Sequence, residues 1–246
     1  MELLLLILFV AVAIVAGYYS YRATQERRRK FMYMARQYGL EYSLWDPFSL
    51  LGLPFSLFSK GDGRGLDNVM WGSWQGRTLK CFDYWYFEET SDSKGSHSRS
   101  YCRFSCSLSE IPASCPRLTI SRESVFGRIA DHLGFADIHF ESEEFNRAFR
   151  VKADDPKFAS DFVSPQLMAW LLASGGDFAY EVVGPYVLCY HKRLKPTALL
   201  PMWAALKSFC ANVPRVVYEL YPPGGLDSTG RPMIQGWPPP QEGTGS

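Results

Sequence analysis

Hydrophobic positions follow three rhythms along this chain. From Leu3 to Tyr19 they are nearly unbroken, with no charge. From Arg22 to Tyr38 they recur at helical spacing, and beyond Asn68 they alternate in strand-like runs closed by glycine and proline. The first rhythm predicts a transmembrane helix. Seventeen to nineteen residues at about 1.5 Å each span roughly 26–29 Å, close to the ~30 Å hydrocarbon layer. Tyr18, Tyr19 and Tyr21 gather at one end, where amphipathic rings favour the headgroup level. A cleaved signal peptide and a buried core helix are the competing readings. A signal peptide carries its cations before the apolar run, whereas here they follow it, and Ala11-Val12-Ala13, which mimics a cleavage site, lies inside it. Residues 1–21 are therefore expected to be an anchor.

The second rhythm predicts a helix over 22–40 that continues out of the membrane, with Phe31, Met34, Ala35 and Tyr38 on one face and Gly39 placed to stop it. Its basic residues, Arg22, Arg27, Arg28, Arg29 and Lys30, are assigned to the opposite, solvated face. There they act as a topology signal and as a surface for anionic headgroups, each worth about 1 kcal/mol. Cations this dense stay on the cytoplasmic side, so the N-terminus is expected outside and the rest, about 220 residues, inside.

The stretch 41–67 reads as a linker. Trp45 to Phe58 is apolar but broken by Pro47, Gly52 and Pro54, and it is expected to pack under the domain rather than lie along the membrane. Lys60-Gly-Asp-Gly-Arg-Gly65 lacks both the dinucleotide and the phosphate-loop spacing and reads as a turn.

The third rhythm predicts a mostly antiparallel, strand-rich α+β domain over 68–221, with short helices and a C-terminal helix. Val69–Trp74 and Thr78–Phe87 flank a Gln75-Gly76 hairpin turn. Cys102–Leu108 alternates cleanly and Arg117–Ile120 forms a further strand, with a short helix expected over Ser124–Leu133. Two strands, Ile138–Glu141 and Ala148–Lys152, are expected around a polar turn. Asp155-Pro156 and Ser164-Pro165 open helices, with a capping side chain before proline at the first helical position. A hairpin is expected from Phe178 to His191, turning at Gly184-Pro185. Pro201–Tyr221 is helical, bent or restarted at Pro214. The Pro/Gly-rich residues 222–246 are expected to be a disordered tail, whose Pro238-Pro239-Pro240 is a weak candidate for extended-peptide docking.

Composition narrows the function. The formal net charge of +1 makes the cationic flank a local feature and argues against a nucleic-acid binder. Six cysteines (81, 102, 106, 115, 189 and 210) are expected to be reduced on the cytoplasmic side, and their spacing matches no zinc pairing. Neither a metal nor a cofactor is expected. Asp154-Asp155 reads as a helix cap rather than a catalytic pair. Asp131-His132 sits at a helix end, and His139 and His191 are placed singly on strands. Cys81, Cys102 and Cys106 are near enough in sequence to meet across a hairpin. Ala13-x-x-x-Gly17 and Ala16-x-x-x-Ser20 are small-residue spacings through which the anchor would self-associate.

The run from Glu141 to Leu172, with Phe145-x-x-x-Phe149-x-Val151 leading to an acidic cap and a Ser-Pro helix, resembles a segment of a bacterial membrane-protein family built on a domain of unknown function. The resemblance covers 138–192, and the aromatic strand Cys81–Tyr86 is similar to actinobacterial members. It implies no catalytic role. The expected function is a non-enzymatic binding or scaffolding module at the inner face of the membrane, engaging lipid headgroups or a protein partner. The alternative is a tethered enzyme whose site gathers dispersed Asp, His and Cys residues.

Overall fold

The computed structural model describes residues 2–91, 97–122, 137–174 and 177–224. The helix expected over Ser124–Leu133, with Asp131 and His132, lies outside these residues, as does the tail from 225 onward. The architecture is α+β: a long N-terminal helix, one antiparallel seven-stranded sheet, short helices and a C-terminal helix.

Anchor and stem are one helix, α1 (Glu2–Tyr38), because no proline lies between Leu3 and Tyr38 and the single glycine there, Gly17, does not interrupt it. Among the described residues it is the one helix long and apolar enough to cross a membrane, and none of its apolar window is buried by the rest of the chain. Gly39, at φ 66°, ends it in the left-handed conformation, and Leu40 N donates to the Ala35 carbonyl.

Next come β1 (Glu41–Ser43), two 3₁₀ turns (Leu50–Gly52, Ser56–Ser59), β2 (Gly63–Trp74), β3 (Arg77–Ser91) and β4 (His97–Arg122). The β2–β3 hairpin turns at Gln75 (φ 48°) and Gly76 (φ 80°), both left-handed as a two-residue turn requires. β2 begins six residues earlier than its alternation implies, because Asn68 (φ 56°) seats a bulge between Asp67 and Met70 that shifts the pattern. The turn expected over 60–65 is therefore partly strand. The segments around Cys102–Leu108 and Arg117–Ile120 are one strand, β4, carried past two irregularities at 110–118.

After β5 (Asp137–Ile138) the expected polar turn is instead a helix, α2 (Glu143–Ala148), capped by Ser142, whose Oγ accepts from Phe145 N. Phe145 and Phe149 stack at 5.1 Å as the chain passes into β6 (Phe149–Ala153). The helices α3 (Pro156–Phe162) and α4 (Pro165–Ala173) begin at their expected Asp155 and Ser164 caps.

The hairpin expected at Gly184-Pro185 does not form: β7 (Ala179–Lys192) runs straight through. Gly184 (φ 55°) opposes Cys115 at the irregularity of β4, so the glycine absorbs a bulge and not a chain reversal. After a 3₁₀ turn (Pro196–Ala198), α5 (Leu199–Ala211) and α6 (Arg215–Leu220) are separated at Pro214 as expected.

β4 is the spine. It pairs with β3 and then β6 along one edge and with β7 along the other. One sheet face carries Met70, Leu79, Cys81, Leu118, Val182 and Cys189 beneath α5, α3, α4 and the C-terminal half of α1. The other carries Phe82, Tyr84, Phe104, Cys106 and Leu188, roofed by Leu50, Leu53, Phe55, Leu57 and Phe58. The expected packing of 45–58 under the domain is thus observed, with Trp45 left 72% exposed.

Candidate functional site

α1 does not merely lead to the domain but helps to build its core. Phe31, Met34 and Ala35 are buried against the sheet, and Tyr38 meets Trp203 edge-on at 5.7 Å. Trp203 also meets Trp74 at 5.7 Å, so one ring joins the stem, the first hairpin and α5. Gly72 is needed here: a Cβ on it would come within 2.9 Å of the Leu40 side chain.

One turn nearer the membrane, an ionic clamp replaces apolar packing. Arg27 Nε and Nη2 each donate to the Asp83 carboxylate at 2.6 Å, a bidentate pair. Arg27 Nη1 donates to the Leu194 carbonyl at 2.6 Å, and Nη2 reaches Ser105 Oγ at 3.3 Å. Asp83 also accepts from Asn68 Nδ2 at 3.0 Å, and Arg193 stands 3.9 Å away. The pair is almost sealed, its side chains 10% and 6% exposed. Burial raises the neighbouring Asp67 carboxyl, reinforced by the Asp83 charge, and burial lowers Arg193. Arg27 also covers the Phe31 ring at 5.0 Å.

This placement corrects the assignment of Arg27 to the solvated face. Counting four residues from Phe31 puts it on the apolar stripe, and the clamp holds it against the sheet. Arg28 is half-buried, its Nε buried without a hydrogen bond, near enough to Tyr42 and Asp67 to influence both. Arg22, Arg29 and Lys30 are exposed; Arg22 covers the Tyr18 ring at 5.9 Å and Lys30 pairs with Glu26 at 2.6 Å.

A second buried carboxylate fastens the roof. Glu181, fully buried, accepts from Ser56 N at 2.6 Å and Leu57 N at 3.4 Å, with Arg117 Nε 3.6 Å away. Burial raises its carboxyl, opposed by these donors. Sequence reasoning passed over both Asp83 and Glu181. The available signal was a lone carboxylate inside an otherwise apolar strand, since such a group is retained only where partners await it.

The other candidates are scattered. Cys81 and Cys106 lie on opposite faces of the sheet, and Cys102 is half-buried further along the hairpin. Burial raises the Cys81 and Cys115 thiols to about 12 and Cys210 to about 11. Asp155 caps α3, accepting from Lys157 N at 2.8 Å, and Asp154 stands 3.9 Å from Arg117. A shallow cleft gathers Asp137, His139, Asn146 and Arg150, but the Asn146 amide is engaged by both backbone groups of Phe140. Among the described residues no cluster of three His, Cys, Asp or Glu side chains is arranged to hold a metal.

Towards its far end the β3–β4 hairpin carries a cluster of rings on the clamp's face. Trp85 and Phe87 stack at 6.4 Å and 15°, and Tyr101 meets both at 6.0 and 5.5 Å. The rings lie over the glycines of β2: a Cβ on Gly63 would come within 2.4 Å of Phe87, and one on Gly65 within 2.6 Å of Trp85. The alternate glycines of the 61–65 run thus make room for an aromatic platform.

No protein-family model matches the chain, and no curated protein does. Among solved structures, the fold is similar to the crystal structure of the mycobacterial trehalose monomycolate transport factor A, TtfA, with a TM-score of 0.54 and 11% identity, covering 81% of this chain and 97% of that one. The bacterial resemblance drawn from residues 138–192 is therefore met by a likeness of fold alone, to a mycobacterial protein.

Proposed function

We propose that this chain is a single-pass membrane protein with its N-terminus outside and its α+β domain in the cytoplasm, where the domain serves as a binding or scaffolding module. The observation that carries this reading is the clamp. A helix of spanning length runs without a break into the domain core and is locked there by Arg27 and Asp83. A domain tethered by a slack linker samples all orientations, whereas one built onto its anchor presents a fixed face at a fixed height. That property suits holding a partner beside the bilayer. TtfA, a transport factor by name, supports an accessory role of this kind. The exposed Arg22, Arg29 and Lys30 suit anionic headgroups, and Ala13-x-x-x-Gly17 suits self-association of the anchor.

Two measurements test the proposal. A C-terminal fluorescent reporter should light up, while a phosphatase reporter active only outside the cytoplasm stays silent; the reverse pattern overturns the orientation. A photo-crosslinker at exposed Tyr33 should give a discrete protein adduct in intact cells, and Asp83→Ala should weaken it while leaving insertion unchanged. A domain that crosslinks to no protein from Tyr33 or Trp45 is not a scaffold.

A further inference from the structure

We propose that the β3–β4 hairpin is a second membrane contact: an aromatic and arginine platform, formed by Trp85, Phe87, Tyr101, Arg99 and Arg103, that rests on the headgroup layer of an anionic bilayer. This deepens the anchored reading and depends on it.

The direction of the hairpin follows from how α1 is docked. At its C-terminal end Leu40 packs on Gly72, which pairs with Leu79 of β3. Thirteen residues nearer the membrane, Arg27 grips Asp83, four residues further along the same strand. Helix and strand therefore advance together towards the bilayer. The helix travels about 20 Å between these points while the strand level advances about 13 Å, so the two are inclined by roughly 50°. Measured along α1 from Arg27, Tyr19 stands about 12 Å up, Phe87 about 9 Å and the end of β3 at Ser91 about 17 Å. Phe87 and its cross-strand partner Tyr101 thus come within about 3 Å of the Tyr18–Tyr19 level, where the membrane interface begins, and the end of β3 passes it. The clamp prevents the domain from swinging it away.

The chemistry of that surface matches an interface rather than bulk water. Tyr101 is 47% exposed and its neighbours Trp85 and Phe87 are half-buried, rings of the type that favours the headgroup level. Arg99 lies over Phe87 at 4.7 Å and Arg103 over Tyr101 at 5.2 Å, so each cation rests on an apolar plane with its charge outward. On this face Glu89 is already matched by Arg99 at 2.7 Å, and Glu88 belongs to the other face. The glycines beneath the rings matter for the same reason. Side chains at 63 and 65 would push the rings off the sheet, whereas glycine lets them form a flat plate. Arg22 and Arg29 on the nearby stem add cations of the same sign.

The test uses the full chain in lipid nanodiscs, in a Cys102→Ser background because Cys102 is the half-buried thiol. A single cysteine carrying an environment-sensitive dye is placed at Ser98 on the hairpin, at Leu8 in the anchor, or at Gln75 on the opposite end of β3. Quenching is read from spin-labelled lipids in discs of phosphatidylglycerol and phosphatidylcholine. Headgroup-level quenchers should act at 98 and not at 75, and deep quenchers should act at 8. Arg99→Gln with Arg103→Gln should weaken the docked state roughly thirty-fold, each cation contributing about a five-fold step. Quenching at 8 with none at 98 overturns the hairpin contact and leaves the anchor intact. No quenching at 8 overturns the anchored reading, and the hairpin contact falls with it.

Discussion

Removing the Asp83 carboxylate should cost this domain more than almost any other single substitution. Asp83→Ala leaves the Arg27 guanidinium in a site where it is 10% exposed, stripped of two 2.6 Å charge-assisted bonds and keeping only the Leu194 carbonyl and Ser105 Oγ. An uncompensated buried charge of this kind costs about 3–5 kcal/mol. Arg27→Met is expected to be milder, about 1–3 kcal/mol, because Asp83 keeps Asn68 and Ser105 as donors and Arg193 at 3.9 Å. The double variant Arg27→Met/Asp83→Leu removes both charges together and should fall short of the summed singles by about 1–3 kcal/mol. The assay is urea unfolding of the full chain in detergent micelles, followed by tryptophan emission, to which buried Trp203 contributes. Strict additivity of the two substitutions would refute the clamp.

Other outcomes follow from the same geometry. Gly65→Val should displace the Trp85 ring, lose the near-ultraviolet ellipticity of the stacked aromatics and destabilise by about 1–3 kcal/mol; an unchanged spectrum would refute the close approach. Because burial holds Glu181 above the usual carboxylate range, the folded state binds more protons than the unfolded one between the unfolded value near 4 and its own raised value. Its contribution therefore weakens as pH rises through that window. Urea midpoints of Glu181→Gln should vary less steeply than wild type as pH rises above the unfolded carboxylate value, and parallel curves would refute the reasoning. Alkylation at about pH 8 should modify Cys102 first and the five buried thiols only in denaturant; rapid loss of all six would contradict their burial.

The parts of this protein legible in its sequence are those governed by local rules. An uncharged run of spanning length, a proline after a capping side chain, and a glycine with φ above zero in a two-residue turn act within a few residues. The apolar N-terminal helix, α3, α4 and the Gln75-Gly76 hairpin were accordingly read in place. Local signals failed where a partner strand decided the outcome. Gly184-Pro185 has the composition of a turn, yet it lies within β7 because the irregular stretch of β4 needs a bulge opposite it. Asn68 shifts the alternation of β2 for a similar reason, and the six residues after Ser142 became α2 because Phe145 finds a buried site there.

The sequence by itself determined that one helix is fit for the membrane, that cations flank it, and that an antiparallel α+β domain follows. Tertiary structure alone decided that Arg27 belongs to the core and not to the solvated face. A helical position three to four residues from an apolar stripe is ambiguous until a buried carboxylate appears opposite it, and Asp83 lies fifty-six residues away in sequence. That pairing turns a tethered domain into one held rigidly against its anchor, because two desolvated charges separate only at the cost of leaving both unpaired.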